Sequence, residues 1–177
     1  MSDRAALLTV GHGSLSQDAL GSLLTGAGVH VLVDVRRFPG SRAHPHVAAE
    51  ALAGWLPPLG VAYRSEVRLG GRRRLSGPSE DPWWTVEAFR AYAAHTRTPE
   101  FAAGLADVLE QAGTATVAVL CSEAVWWRCH RRLVADVVAL VHELPVHHLM
   151  PDGRTAPHRP SPGARRTGDV LVWDRTG

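Results

Sequence analysis

Lysine, asparagine and isoleucine are absent from this chain, so every basic residue other than histidine is an arginine, 19 in all. Without lysine there can be no Schiff-base chemistry and no phosphate loop closed by a lysine. The missing residues share A/T-rich codons, so the arginine excess follows from base composition and carries no functional weight alone. Cysteine is scarce: the two present, Cys121 and Cys129, make no disulfide framework. No apolar run approaches the ~18 residues that a membrane-spanning helix needs. The opening MSDRAALLTV lacks a basic region followed by a long apolar segment, so no secretory signal is expected and the expected compartment is the cytoplasm, where thiols stay reduced. An excess of charge of one sign is also missing. The net charge is only +2, which excludes a polybasic surface and requires any positive patch to be local.

What is there describes a globular protein: 177 residues, 45% apolar and 20% charged. ALLTV (6–10) is a short apolar run stopping at GHGS, a buried strand and a tight turn. Ser16 is placed to cap a helix whose Leu20, Leu23 and Leu24 share a face. Further strands are expected at 29–35, 60–66, 114–121 and 144–150, with helices at 46–56, after Thr85, from Thr98-Pro99-Glu100, and at 129–141. A long polar loop covers 67–84. Strands alternating with helices predict a single α/β domain over 1–177, a mostly parallel sheet of about five strands with helices on both faces, Rossmann-like or rhodanese-like. A Pro-, Gly- and Arg-rich tail starts near 151 and ends in the apolar patch VLVW.

In open α/β sheets, sites form beyond the carboxyl ends of the strands. Applied strand by strand, that rule collects His12, then Asp34, Arg36 and Arg37, then Glu66, then Cys121, Glu123, Trp126, Trp127, Cys129 and His130, then His148. Cys121, at a strand end, is placed as a nucleophile or as a small buried residue ending the strand. Cys129, at a helix start, is placed where the dipole favours a thiolate, or serves as a capping or packing residue. Both cysteines and His130, with His12 or His148, could supply zinc ligands. Against that, the spacing is not C-x-x-C, and adjacent Cys-His side chains on a helix diverge, so the sequence requires no cofactor. Glu123 is a candidate base or an arginine's partner. Asp34 is a second candidate for proton handling, or a strand-end clamp on Arg36. Of Trp126 and Trp127, at most one ring can point inward, and an indole at a site stacks on flat ligands such as nucleobases. Arg72 and Arg73, inside GGRRR, suit phosphate contacts or a solvated turn.

These motifs together resemble the domain-of-unknown-function family 488. The resemblance rests on TVGHGSLSQDALGSLLTGAGVHVLVDVRRFPGSR, on GVAYRSEVRLGGRR, on VLCSEAVWWRCHRRLVAD and on VHHLMPDG, and runs from about residue 8 to the tail. It implies one α/β domain and a site containing His12, Asp34, Arg36, Cys121, Glu123 and the Cys129-His130-Arg131 run. Some members carry loose labels linking them to DNA repair. Where members often have short polar residues between the Glu and the Cys-His-Arg, this chain has Ala124, Val125, Trp126 and Trp127.

Three functions are open on these residues. In the first, an enzyme acts on a nucleobase-containing substrate, nucleotide or nucleic acid. Arg36, Arg37, Arg72 and Arg73 hold phosphate, a Trp stacks on the base, Glu123 or Asp34 moves a proton, and Cys121 is nucleophile or ligand. In the second, Cys121 and Cys129 with His130 serve a thiol-based transferase or redox protein. In the third, the same residues only hold a ligand. No membrane partner is expected, and the sequence does not set the oligomeric state.

Overall fold

The computed structural model of this chain describes residues 6–176; residues 1–5, which begin the segment read for a secretory signal, and residue 177 lie outside the described residues. Strands β1 (Leu7–Gly11), β2 (Val31–Asp34), β3 (Ala62–Ser65), β4 (Val117–Cys121) and β5 (Val146–Leu149) lie in the order β3-β2-β4-β1-β5, every neighbouring pair parallel. A sixth strand, β6 (Thr155–Pro157), extends the sheet antiparallel to β5. Its proline is tolerated because an edge strand leaves one row of donors unpaired.

The expected alternation of strand and helix is present, with helices on both faces. On one face, Leu20, Leu23 and Leu24 of α1 (Gln17–Gly26) and Leu52 of α2 (Ala49–Trp55) bury against Leu8, Val10, Leu32 and Leu120. On the other, Tyr92 of α3 (Glu87–His95), Phe101 and Leu105 of α4 (Pro99–Ala112) and Leu133, Val134 and Val138 of α5 (Arg131–Leu140) cover Leu7, Val33, Val117 and Val119. Ser16 and Thr98 cap α1 and α4 as expected, accepting from Ala19 and Phe101. Thr85 does not cap α3, whose N-cap is Val86 without a side-chain bond. Packing decides there: Trp84 is buried against Phe89 and Trp173 and sets where the chain turns into the helix. The tail is more ordered than its composition implies. It supplies β6 and a hairpin of β7 (Ala164–Thr167) and β8 (Val170–Trp173), whose Trp173 is fully buried.

Two consequences of this layout position the site. First, β1 and β2 hand over to helices on the α1/α2 face, whereas β4, lying between them, hands over to α5 on the opposite face. Neighbouring strands whose connections part to opposite faces leave a crevice at their carboxyl ends. Second, side chains alternate along each strand. Asp34 is in register with Leu120 and shares its face, toward α1 and α2. Cys121, one residue on, faces α5.

Thr9 and His148 are cross-strand neighbours that also face α5. There they join a buried chain of hydrogen bonds. Arg131 Nη1 donates to Thr9 Oγ1 at 3.3 Å, Thr9 to His148 Nδ1 at 2.6 Å, His148 Nε2 to His158 Nδ1 at 2.9 Å, and His158 Nε2 to Asp136 Oδ1 at 2.8 Å. Asp136 also accepts from Ser161 N and Trp173 Nε1. With His148 neutral, Thr9 Oγ1 donates to its Nδ1 and its Nε2 donates onward to His158. Burial first, and then the charges of His158 and Arg131, push the pKa of His148 down to about 3.

That depression predicts acid sensitivity. Between the ordinary histidine pKa and about 3, the unfolded chain takes up a proton that folded His148 refuses. Stability from this group is therefore complete above about pH 6.5 and is lost as pH falls, at up to ~1.4 kcal/mol per pH unit. Urea midpoints at pH 7, 6 and 5 should fall steadily; a flat midpoint over that range contradicts the account.

Candidate functional site

The loop after β4 carries the chemistry. Two backbone bonds, from His12 N to Cys121 O and from Gly13 N to Ser122 O, zip it to the turn after β1. The approach is so close that a Cβ on Gly11 would lie 1.9 Å from the Glu123 carbonyl oxygen, so this position requires glycine. That same carbonyl accepts from Arg131 Nη2. Residues 126–128 then make a single 3₁₀ turn, and Cys129 is extended, with φ −123° and ψ 153°, before His130 starts α5.

That extended residue overturns one sequence expectation. Adjacent Cys-His side chains diverge on a helix, but Cys129 precedes the helix, so its sulfur and the His130 ring turn the same way. Cys129 Sγ lies 3.7 Å from His130 Nδ1, and Cys121 Sγ, arriving from β4, lies 3.8 Å from the same nitrogen. The three donor atoms all fall within 4.8 Å of one another. Both thiols are free and buried. The hydrogen bond from Cys121, and then the neighbouring charges of His130 and Arg131, hold Cys129 below the ordinary thiol range against the cost of burial. The same hydrogen bond, and then burial, push Cys121 up. Protons lost from such a pair belong to the pair rather than to either sulfur.

The cluster forms the floor of a cavity of about 310 Å³. Tyr92, Phe89 and Ala88 of α3 line it, together with Arg36, Arg37, Phe38, Gly71, Arg72, Arg128 and Glu123. Four arginines therefore face one carboxylate. Tyr92 is fixed by donating to Leu69 O at 2.5 Å and packs against the His130 ring at 4.8 Å. Arg72 has a left-handed backbone, φ 58°, held by Arg37 Nη1 donating to its carbonyl at 2.9 Å. A non-glycine residue kept in that region at a cavity mouth is a common mark of a functional constraint.

The remaining candidates divide by strand face and by partner. Asp34 is a clamp: its oxygens accept from Arg36 N, Nε and Nη2 and from Tyr63 OH. Arg36 reaches the cavity but is anchored by Asp34, by Val47 O at 2.6 Å and by a 3.4 Å contact with His12 Nε2. His12 donates from Nδ1 to Gly13 O, and burial lowers its pKa. It lies behind Arg36 and does not line the cavity. Among the described residues Glu123 pairs with no arginine; its carboxylate accepts from Val125 N at 3.1 Å. Glu66 sits elsewhere, buried between Arg64 and Arg68, which ties the loop after β3 to Asp107 of α4. Arg73 is held by the carbonyls of Gly70 and Val67 and by Glu100. Arg131 is buried under the loop rather than exposed to a ligand.

The indoles are not brought to the thiols. Trp126 stacks face to face on His148, rings 4.0 Å apart and 5° from parallel, with His158 against it edge-on. Trp127 packs edge-on against Trp126 and is 47% exposed. The exposed flat ring at the cavity is Phe38, 62% exposed, with the Arg37 and Arg72 guanidiniums 5.5 and 5.7 Å from its centre. Sequence reasoning passed over Phe38, Phe89 and Tyr92. FP in DVRRFPGSR was a readable signal for the first, since an aromatic just before a proline at a strand end is poorly placed for the core.

A sequence profile described as "Domain of unknown function DUF488" matches residues 16–138. The chain belongs to the DUF488 family. No curated protein and no solved structure matches it. The DUF488 match is narrower than the span suggested by the motifs, taking in α1 through most of α5. It contains Asp34, Arg36, Cys121, Glu123, Cys129 and His130, and leaves out His12 and His148. Among the described residues no helix is long and apolar enough to cross a membrane.

Proposed function

We propose that this DUF488 protein is an enzyme acting on a small anionic substrate at the Cys121-Cys129-His130 centre. The observation that carries the reading is the set of arginines around that centre. Arg37, Arg72 and Arg128 line the cavity, and among the described residues none has a carboxylate within ion-pair reach, whereas Arg64, Arg68, Arg73, Arg97 and Arg165 do. In a chain of net charge +2, uncompensated guanidiniums above two thiols and an imidazole suit an anion whose reacting atom is delivered to the floor. Inorganic phosphate, sulfate and small carboxylates should raise the melting temperature at low salt. Arg72→Ala and Arg128→Ala should each weaken the tightest of these by about 10- to 100-fold, the range for loss of one charge-assisted hydrogen bond. Equal affinity in both variants would remove the reading.

A nucleotide as that anion is favoured by Phe38. Its ring stands between the cavity and a groove of about 890 Å³ lined by Arg72, Arg73, Arg74 and Ser76. A base on Phe38 with phosphates on Arg37, Arg72 and Arg74 matches the pairing of stacking ring and basic track used for single strands. Phe38 takes the role first expected of Trp126 or Trp127. Phe38→Ala should weaken binding of a nucleoside monophosphate and of a single-stranded oligonucleotide while leaving inorganic phosphate unchanged. Equal losses for all three ligands would reduce the reading to anion binding alone.

A further inference from the structure

We infer that Cys121, Cys129 and His130 form a three-ligand site for a soft divalent metal ion of the zinc type, its fourth position opening on the arginine-lined cavity. The inference deepens the proposed function, because it assigns the floor of that same cavity.

The geometry is the argument. A tetrahedral zinc ion with bonds of about 2.3 Å to sulfur and about 2.0 Å to nitrogen sets its sulfur and nitrogen ligands roughly 3.6 Å apart. The two sulfur-to-Nδ1 distances here are 3.7 and 3.8 Å, with the whole set inside 4.8 Å. The donors come from two rigid elements, the end of β4 and the start of α5, whose relative position is locked by Gly11, Glu123 O and Arg131. The nearby carboxylates do not compete. Asp34 is held by Arg36 and Tyr63 on the other face of the sheet, and Glu123 accepts from Val125 N. Two thiolates and a neutral imidazole around a dication carry no net charge, which suits a buried floor. Thiolate ligands select zinc-type ions over magnesium or calcium.

Three protein ligands with an open fourth position is the arrangement of catalytic rather than structural zinc. The cavity leaves room there for water or for an oxygen of the anion that Arg37, Arg72 and Arg128 would hold.

The test is cobalt(II) titration of reduced, chelator-stripped protein. One equivalent per chain is expected, with a thiolate-to-cobalt charge-transfer band and the visible bands of a tetrahedral ion. Zinc should then displace the cobalt, raise the melting temperature and slow alkylation of both thiols. Cys129→Ser, Cys121→Ser and His130→Ala should each weaken binding by at least about 100-fold, beyond the loss typical for a residue that merely orients a ligand. Circular dichroism identifies any variant that has not folded, and Arg154→Ala, an exposed residue paired with Asp152 away from the cavity, should bind cobalt as the parent does. No charge-transfer band in the parent, or a band that survives in folded Cys129→Ser, would overturn the site. Anion binding, read on Arg72→Ala and Arg128→Ala in metal-free protein, fails or stands separately.

Discussion

Replacing Asp34 with alanine is expected to cost about 3–5 kcal/mol of stability, the range for removing one partner of a buried ion pair. Asp34 and Arg36 are both buried, 2.7 Å apart. Asp34 receives three bonds from Arg36 and one from Tyr63. Without the carboxylate, the guanidinium keeps only Val47 O and the long contact with His12, and a buried cation is left uncompensated. The cavity should suffer with the fold, because Arg36 lines it and the segment through Phe38 follows directly. Chemical denaturation reads the loss. Asp34→Ala combined with Arg36→Met should be less destabilised than Asp34→Ala alone, since the orphaned charge is gone. A single variant within about 1 kcal/mol of the parent would contradict the clamp.

The second large effect is expected at Gly11. A Cβ there would stand 1.9 Å from the Glu123 carbonyl oxygen, 2.6 Å from its carbon and 2.8 Å from Arg131 Nη2. Two of those atoms are backbone, and the third belongs to a guanidinium locked under the loop, so nothing nearby can rotate away. Gly11→Ala should cost at least about 3 kcal/mol, the upper end of ordinary overpacking. It should also push the 121–124 loop off the β1 turn, moving Cys121 relative to His130. Cobalt binding should then weaken more than a uniform loss of stability explains. An alanine variant with parental stability and parental metal affinity would show that the loop is not held as described.

The layered α/β architecture was legible because it rests on local pattern. Leu20, Leu23 and Leu24 report a helix face, and runs such as 117–121 report buried strands, without knowledge of neighbours. The grouping of site residues was legible only in part. Of the residues that the strand-end rule gathers, Cys121, Cys129, His130, Arg36 and Arg37 line one cavity. It also gathers Glu66 and His148, which their own partners hold away from the cavity, and Asp34 and His12, because a rule about edges is blind to faces. Separating them needs the register, and the register follows from β2 lying beside β4, a long-range fact absent from any short window. The roles of Trp126 and His148 were hidden for a related reason. Their stacking depends on β5 pairing with β1, across nearly the whole chain. The tail misled through composition: proline and glycine describe its turns, whereas Trp173, buried beside Trp84 and bonded to Asp136, is what docks it.

The most direct test of the central claim, that arginines hold an anion above the thiol–imidazole floor, is a crystal structure of the protein soaked with tungstate as a heavy phosphate mimic. The account predicts an anomalous peak inside the cavity, within hydrogen-bond reach of at least two of Arg36, Arg37, Arg72 and Arg128 and facing the Cys121-Cys129-His130 cluster. Tungstate bound elsewhere, with that cavity empty in crystals whose lattice leaves it open, would contradict it.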